Sequence, residues 1–212
     1  MTKIVIIGAG DLGKQVLHYT LLSNSQKVVG FFDDYKNVGD SFCGLPILGN
    51  LKDIETVYSQ STFEQLFIAI GYKHLKFKKE VFLSFKSKIP FASIIHPSCI
   101  IDKSVEIGEG CIIYAGSVLD MNVKIKDNVL INLNSTIAHD SLIGAHSFVS
   151  PSVSIAGFVS IGEQCIIGIN TTVIDGVNII NNVQTGGGTV VIKEIKTSGT
   201  YVGNPARKIN DI

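Results

Sequence analysis

Residues 131 to 161 read INLNSTIAHDSLIGAHSFVSPSVSIAGFVSI, and an aliphatic residue returns at every sixth place in this stretch. The spacing continues in both directions, and Thr185 is its one member that is not aliphatic. The full series is Ile95, Ile101, Ile107, Ile113, Leu119, Ile125, Ile131, Ile137, Ile143, Val149, Ile155, Ile161, Ile167, Val173, Ile179, Thr185 and Val191. A helix repeats about every 3.6 residues and cannot hold a period of six, so the repeat predicts short strands stacked as a solenoid.

A second series lies four places after each member of the first and contains only small or β-branched residues. Its members are Cys99, Val105, Cys111, Ser117, Val123, Val129, Ser135, Ser141, Ser147, Val153, Val159, Cys165, Thr171, Val177, Val183 and Thr189. We therefore predict that the first and fifth side chains of each hexapeptide point inward and form the solenoid core, while the other positions face outward.

The first 88 residues follow a different pattern, in which strands alternate with helices. KIVIIGAGDLGKQVLHYTLL predicts a strand, a glycine turn and a helix, and KVVGFFDD predicts a second strand. FEQLFIAIG predicts a further strand, and residues 73 to 86 suit a helix. We expect a small parallel α/β domain in residues 1 to 88, related to the Rossmann fold, followed by the solenoid domain in residues 89 to 212.

The glycine turn GAGDLG places Gly8, Gly10 and Gly13 directly after a strand and at the start of a helix. Such a turn lets backbone amides approach a pyrophosphate, and the acids Asp33 and Asp34 after the next strand can reach a ribose hydroxyl. A nicotinamide dinucleotide, another nucleotide diphosphate and a turn that binds nothing are all compatible with it. A domain of 88 residues is about half of a full dinucleotide-binding domain, which favours another nucleotide diphosphate.

The composition excludes several classes of function. Lysine and arginine together number 18, as do aspartate and glutamate, so the chain lacks the basic excess that nucleic-acid binding requires. The apolar run from Ile4 to Ile7 is too short for a signal peptide or a membrane span. The four cysteines show no metal-like spacing, and Cys43 has no assigned role. We expect a cytoplasmic protein without a metal site, a nucleic-acid partner or membrane insertion.

The repeat resembles the left-handed parallel β-helix of bacterial acyltransferases. In that family three hexapeptides make one triangular coil, so residues eighteen apart stack on the same face. His139 and Asp140 then occupy the third and fourth positions of a hexapeptide and should point outward, with Met121 and Gly157 one coil away. A carboxylate beside an exposed histidine can fix its tautomer and raise its basicity, and the Gly157 amide is expected to be free to donate.

His146 takes the fourth position of the next hexapeptide. We expect it to be a solvated surface group with no assigned role.

The α/β domain, the uninterrupted hexapeptides, and the segments AHDSLIG, GGGTVV and YVGNPAR together resemble the sialic acid O-acetyltransferase-type sugar acyltransferases. These include N-acetyltransferases that act on nucleotide-linked 4-amino-4,6-dideoxy sugars. The resemblance implies that His139 is the general base, that Asp140 raises its basicity and that the Gly157 amide stabilises the oxyanion. It also implies that Ile169 and Gly187 line an acetyl-CoA channel between neighbouring β-helices of a homotrimer.

The resemblance further implies that the nucleotide-sugar lies on the turn of Gly10, Asp11 and Leu12, with contacts at Asp33, Asp34 and Gly71. Many relatives carry GASGHG or GAGGHG in this turn, whereas this chain has Asp11 and Leu12 there. Many also have a histidine nine places after the catalytic one, where this chain has Phe148, so that coenzyme contact is assigned to no residue.

We therefore expect transfer of an acetyl group from acetyl-CoA to the 4-amino group of a nucleotide-linked sugar, in surface polysaccharide or glycan biosynthesis. Three alternatives stay open, and a nicotinamide-dependent enzyme is the first of them. The same fold and base can acetylate a hydroxyl, as on sialic acid or another sugar. The β-helix can also act as a scaffold without catalysis.

Overall fold

The structure, a computed structural model, describes residues 1–22 and 25–211. The chain folds into two compact units, Met1–Ile94 and Ile95–Ile212. The predicted fold class is confirmed: an N-terminal α/β unit is followed by a left-handed parallel β-helix.

The N-terminal unit is a five-stranded sheet with helices between its strands. Its elements are β1 (Thr2–Ile7), α1 (Asp11–Leu21), β2 (Gln26–Phe32), β3 (Ser41–Phe42), β4 (Leu45–Gly49), α2 (Ile54–Ser59), β5 (Gln65–Ile68) and α3 (Leu75–Phe85), with 3-10 turns at Leu51–Asp53 and Tyr72–His74. The strand order is β3-β4-β2-β1-β5, and all neighbours except β3 and β4 are parallel. The apolar run of β1 is buried along Ile4–Ile7, as expected for a central strand of a parallel sheet.

The boundary between the units lies a few residues beyond position 88. Phe91 and Ile89 belong to the N-terminal core, where they pack with β5 and α3 residues such as Phe82. Leu66 also donates its N–H to the carbonyl of Pro90 at 3.0 Å, which adds this segment to the edge of the sheet. Burial of these apolar side chains therefore holds the connecting residues in the first unit.

The hairpin of β3 and β4 was not predicted from the sequence. Cys43 and Gly44 form its two-residue turn, with φ values of 51° and 79°. Positive φ at both central residues is characteristic of a type I′ turn, which usually carries Asn-Gly or Asp-Gly. A cysteine at the first position hides that signal, and it gives Cys43 a structural place in the turn.

The β-helix is built from strands that are mostly two residues long. They are β6 (Ile94–Ile95), β7 (Ile100–Ile101), β8 (Glu106–Ile107), β9 (Ile112–Ile113), β10 (Val118–Leu119), β11 (Lys124–Ile125), β12 (Leu130–Ile131), β13 (Thr136–Ile137), β14 (Leu142–Ile143), β15 (Phe148–Val149), β16 (Ser154–Ile155), β17 (Ser160–Ile161), β18 (Ile166–Ile167), β19 (Thr172–Val173), β20 (Asn178–Ile179), β21 (Val183–Thr185), β22 (Val190–Val191), β23 (Gly199–Val202) and β24 (Arg207–Asn210).

These strands form three sheets, one on each face of a triangular coil. The first face carries β7, β10, β13, β16, β19 and β22, the second carries β8, β11, β14, β17 and β20, and the third carries the rest. Each strand pairs in parallel with the strand one coil away, as Ile137 pairs with Ile155. The hairpin of β23 with antiparallel β24 ends the third face.

The prediction that first and fifth positions form the core is confirmed from Cys111 to Val191. The buried fifth-position hydroxyls are satisfied within the coil. Ser141 is 1% exposed and donates to the carbonyl of Ala156 at 2.9 Å, and Ser135 donates to that of Ser150 at 3.0 Å. This arrangement explains why serine and threonine can replace valine there without leaving a buried polar atom unpaired. The first coil is looser, since Ile95 is partly exposed.

The cysteines of the β-helix behave as small core residues. Cys111 and Cys165 are buried, Cys99 is partly buried, and all the cysteines are free thiols. Burial raises the pKa of the Cys165 thiol to about 11. Within the described residues, no helix combines the length and apolar character needed to cross a membrane.

Candidate active site

A histidine, a carboxylate and an amide form a hydrogen-bonded series at one corner of the coil. His139 Nδ1 lies 3.0 Å from Asp140 Oδ2, and Asn122 Nδ2, one coil earlier, donates to Asp140 Oδ1 at 3.0 Å. The backbone N–H of Asn122 in turn donates to Ser104 Oγ at 2.8 Å. Because an ionised carboxylate can only accept, this contact favours, for the neutral imidazole, the tautomer with its proton on Nδ1 and a lone pair on Nε2.

Asp140 is well placed to stay ionised. The hydrogen bond from Asn122 and then that from His139 lower the pKa of the Asp140 carboxyl from its ordinary value. The residue has a φ of 57°, in the left-handed region that aspartate and asparagine tolerate. The side chains of His139 and Asp140 are 41% and 33% exposed, so a substrate can reach them.

The imidazole of His139 lies directly over Gly157, one coil later. A Cβ atom built on Gly157 would lie 2.7 Å from Cε1 and 2.9 Å from Nε2 of the ring. From the sequence we expect the missing side chain at Gly157 to leave space beside the imidazole for a substrate, whereas the imidazole itself occupies that space. Phe158 packs edge-to-face on the same ring, with centroids 5.1 Å apart and planes at 86°.

The expectation that the Gly157 amide is free to donate is wrong. Its N–H donates to Asp175 Oδ1 at 3.1 Å, one coil later. This bond belongs to a repeated pattern at the corners, in which a third-position oxygen caps the N–H one coil earlier. Asp127 caps Glu109 at 3.0 Å, and Asn181 caps Glu163 at 2.8 Å. Stacking of the coils therefore gives the Gly157 N–H a hydrogen-bond partner, although the sequence led us to expect none.

We expect Asp175→Ala and Asn181→Ala to lower the melting temperature alike. Each loses one corner hydrogen bond, worth about 1 kcal/mol, which corresponds to about 2–4 °C at this chain length. The acetyl transfer expected from the sequence should proceed at similar rates in the two variants if the Gly157 amide, which Asp175 occupies in the wild type, takes no part in it. A tenfold rise in kcat confined to Asp175→Ala would instead mean that the freed amide binds the oxyanion.

The prediction that His146 is a solvated surface group is also wrong. The residue is 5% exposed, and its Nδ1 lies 2.9 Å from Nδ2 of Asn128, one coil earlier. Its side chain does leave the coil at a corner, as predicted, and the backbone φ there is 61°. A side chain that leaves the coil can still be covered, because the side chain stacked eighteen residues away lies against it.

Ile169 and Gly187 lie together at another corner, between the third and first faces. A Cβ atom on Gly187 would lie 3.1 Å from Cγ2 of Ile169, and Ile169 is exposed. His139 lies at the corner between the first and second faces. The predicted base and the predicted coenzyme-channel residues are therefore on different corners of one chain.

A cavity of about 330 Å³ lies at the carboxyl ends of β1, β2 and β5 in the N-terminal unit. Its wall includes four of the predicted substrate-binding residues, Gly10, Asp33, Asp34 and Gly71, together with Gly8, and it excludes Asp11 and Leu12. The chain runs outward from β1 to β2 and β4 and then returns to β5 on the other side of β1. Ligands of open α/β sheets bind at such a point.

The glycine turn is tightly packed and held by Asp33. A Cβ atom on Gly13 would lie 2.2 Å from the carbonyl oxygen of Gly8, so the helix can approach the turn only with glycine there. Asp33 Oδ2 accepts the N–H of Ala9 at 2.8 Å, and its Oδ1 accepts that of Tyr35 at 2.9 Å. Asp33 therefore shapes the cavity wall through both of its oxygens.

Asp34 accepts fewer hydrogen bonds than Asp33. Its Oδ1 accepts the N–H of Leu51 at 2.9 Å, and its Oδ2 has no hydrogen-bond partner among the described residues.

Several residues near these sites were missed from the sequence. Asn122 and Phe158 could have been found by counting one coil from Asp140, and Asp175 by counting one coil from Gly157. Tyr35, His74 and Phe77, which line the N-terminal cavity, gave no such signal, because their placement depends on turns. Across residues 1–22 and 25–211, no cluster of three or more histidine, cysteine, aspartate or glutamate residues is arranged to hold a metal.

Comparison with known proteins covers both units. Residues 3–82 match the family model of the PglD N-terminal domain. The acetyltransferase domain of PglB from Neisseria gonorrhoeae has a TM-score of 0.89 at 26% identity, over 99% of this chain and 100% of that chain. PerB from Caulobacter crescentus, solved with CoA and GDP-perosamine, has a TM-score of 0.87 at 28% identity, over 99% of this chain and 98% of that chain.

Curated relatives match parts of the chain. The putative acetyltransferase YvoF of Bacillus subtilis is 31% identical over 140 residues, which is 66% of this chain and 67% of that protein. UDP-3-O-acylglucosamine N-acyltransferase of Bordetella pertussis is 39% identical over 66 residues, or 31% of this chain. That match spans 18% of the length of the Bordetella enzyme.

Proposed function

Because the chain belongs to the hexapeptide-repeat sugar acyltransferases, we propose that it transfers acetyl from acetyl-CoA to the 4-amino group of a nucleotide-linked 4-amino-4,6-dideoxy sugar. The observation that carries the proposal is the series of Asn122, Asp140 and His139, in which Nδ1 of the imidazole faces Asp140 and Nε2 lies over Gly157. The product would serve surface polysaccharide or glycan biosynthesis.

In the proposed reaction His139 acts as the general base. The neutral sugar amine attacks the thioester carbonyl carbon, and its proton passes to Nε2 of His139. The N–H at Nδ1 donates a hydrogen bond to Asp140, and this carboxylate stabilises the imidazolium that forms. The carbon–sulfur bond then breaks, and the proton moves from the imidazolium to the leaving thiolate. Ser141 is buried and hydrogen-bonded inside the coil, so it is not placed to form an acyl-serine, and the proposed transfer is direct.

Gly157 contributes space for the imidazole in this account. Its N–H already has Asp175 as a partner, so we assign no oxyanion role to it.

The N-terminal cavity is the proposed site for the nucleotide. Gly10 lies at the start of α1, where the helix dipole and amide groups favour a pyrophosphate. Asp34 can accept a ribose hydroxyl through Oδ2, and the rings of Tyr35 and Phe77 offer apolar surface to a base. Perosamine linked to GDP is the ligand of PerB, a relative that resembles the whole of this chain.

Acetyl-CoA is proposed to bind between β-helices of neighbouring subunits in a homotrimer. Ile169 and Gly187 lie on a different corner of the coil from His139, which supports a coenzyme site completed by a second copy of the chain. A neighbouring copy can bring its own Ile169 corner to this His139. Sedimentation of a stable monomer at micromolar concentration, with full activity, would contradict this part of the proposal.

The proposal is tested by incubating the protein with acetyl-CoA and a panel of nucleotide-linked 4-amino sugars, with free sialic acid included. Mass spectrometry should find one acetyl group on the amine, with matching thiol release. Acetylation of a hydroxyl alone would replace the proposed acceptor. A protein that neither transfers acetyl nor binds acetyl-CoA would instead be a scaffold.

We expect Gly10→Ala to weaken nucleotide-sugar binding selectively. Gly10 has an extended φ of −119°, and a Cβ atom there would meet nothing within 4 Å, so the fold should be unchanged. The methyl group would occupy space where the pyrophosphate approaches the helix. The KM for the nucleotide-sugar should rise about tenfold, the equivalent of ~1.4 kcal/mol of binding free energy. An unchanged KM would place the nucleotide elsewhere, and the KM for acetyl-CoA is the internal control.

A further inference from the structure

Phe158 combines an unusual backbone with an exposed aromatic ring. Its φ is 57°, in the left-handed region, and the side chain is 63% exposed. The residues stacked with it at this corner are Asn122, Asp140 and Gly176, all types that accept this conformation readily. The fold imposes a positive φ at the fourth position of each hexapeptide from Asn122 to Asn182, and a bulky aromatic residue is an uncommon choice for it.

The ring of Phe158 borders the approach to the proposed base. The His139 imidazole has Asp140 at Nδ1, Gly157 beneath it and Phe158 packed edge-to-face against it. An amine that reaches Nε2 must therefore pass close to the exposed ring of Phe158.

We propose that Phe158 determines specificity for acceptors that carry a methyl group, rather than a hydroxymethyl group, on the carbon beside the aminated carbon. This inference rests on the proposed function. In a 4-amino-4,6-dideoxy sugar the methyl carbon is three bonds from the reacting nitrogen, so it reaches the ring when the nitrogen reaches Nε2. Contact with the ring removes the apolar surface of a methyl group from water, which favours binding. A hydroxyl there would lose its hydrogen bonds to water without gaining a new partner.

The expected preference is moderate. An apolar surface rejects an added hydroxyl by about 10- to 100-fold at most, because the larger group can often shift to keep its hydration. Ratios of kcat/KM in this range should therefore separate the two acceptors.

The test compares kcat/KM for two nucleotide-linked 4-amino sugars that differ only in methyl against hydroxymethyl. Phe158→Asn removes the ring and suits the left-handed backbone, so its melting temperature should not fall. Gln164→Asn is the matched control, because Gln164 has a φ of 54° at another corner. Wild type and Gln164→Asn should prefer the methyl sugar about 10-fold or more, and Phe158→Asn should reduce the preference to about threefold or less.

The outcomes separate the inference from the proposed function. If wild type transfers acetyl and its preference for the methyl sugar survives in Phe158→Asn, the inference about the ring is overturned and the proposed function stands. A rise in the KM for acetyl-CoA, with the sugar preference intact, would overturn the inference as well and assign the ring to the coenzyme. If wild type acetylates neither amine while binding acetyl-CoA, the proposed function fails and the inference falls with it.

Discussion

Replacing His139 with alanine is expected to lower kcat by about 10²- to 10⁴-fold, the usual contribution of a general base. The side chain is partly exposed and leaves the coil, so its loss should leave the fold and acetyl-CoA binding intact. His18→Ala is the matched control, because that histidine is exposed on α1 in the other unit. Steady-state thiol release, with melting temperature and coenzyme affinity measured beside it, checks the result.

Near-normal turnover in His139→Ala would show that His139 is not the general base.

kcat should fall less in Asp140→Asn than in His139→Ala, because Asp140 orients the base and stabilises its charged form. Hydrogen bonds from Asn122 and His139 lower the pKa of the Asp140 carboxyl below its ordinary value. The carboxylate therefore stays charged as the pH falls to the ordinary pKa of an aspartate. Loss of activity at pH values above that point should therefore not report protonation of Asp140.

Gly157→Ala is expected to reduce kcat by about 10²-fold or more, a loss comparable to that of a displaced general base. The added methyl group would lie 2.7 Å from Cε1 of His139, which forces the imidazole away from its place over residue 157. The melting temperature should change little, because the ring can swing toward solvent. Full activity in Gly157→Ala would show that the position of the ring over this glycine is not needed for the reaction.

Gly71→Ala provides a comparison for that variant. A Cβ atom on Gly71 would meet nothing within 4 Å, and the residue lines the cavity proposed for the nucleotide, in the N-terminal unit, whereas His139 belongs to the β-helix. Any effect of Gly71→Ala should therefore fall on the KM for the nucleotide-sugar and should leave kcat unchanged.

The repeat made the β-helix predictable because its period is strict. Once Ile137 and Ser141 were placed inward, His139 and Asp140 had to face outward, and counting one coil brought Gly157 under the imidazole. The same counting could not reveal that Asp175 caps the Gly157 amide, since that depends on a side-chain torsion. Nor could it reveal the burial of His146, which depends on the side chains stacked around it.

The N-terminal unit was predictable in outline and less so in detail. The apolar runs gave β1, β2 and β5, and the glycine turn gave the start of α1. The hairpin at Cys43 and Gly44 was missed because its turn lacks the usual asparagine or aspartate. The wall of the cavity was only half predicted, since Tyr35, His74 and Phe77 reach it from turns and from the start of α3.

The central claim is acetyl transfer to a sugar amine with His139 as the base. The most direct measurement is mass spectrometry of a nucleotide-linked 4-amino-4,6-dideoxy sugar after incubation with acetyl-CoA and either wild type or His139→Ala. The account predicts that wild type adds one acetyl group to the amine and that His139→Ala adds almost none in the same time. Equal acetylation by both proteins, or acetylation found only on a hydroxyl, would contradict it.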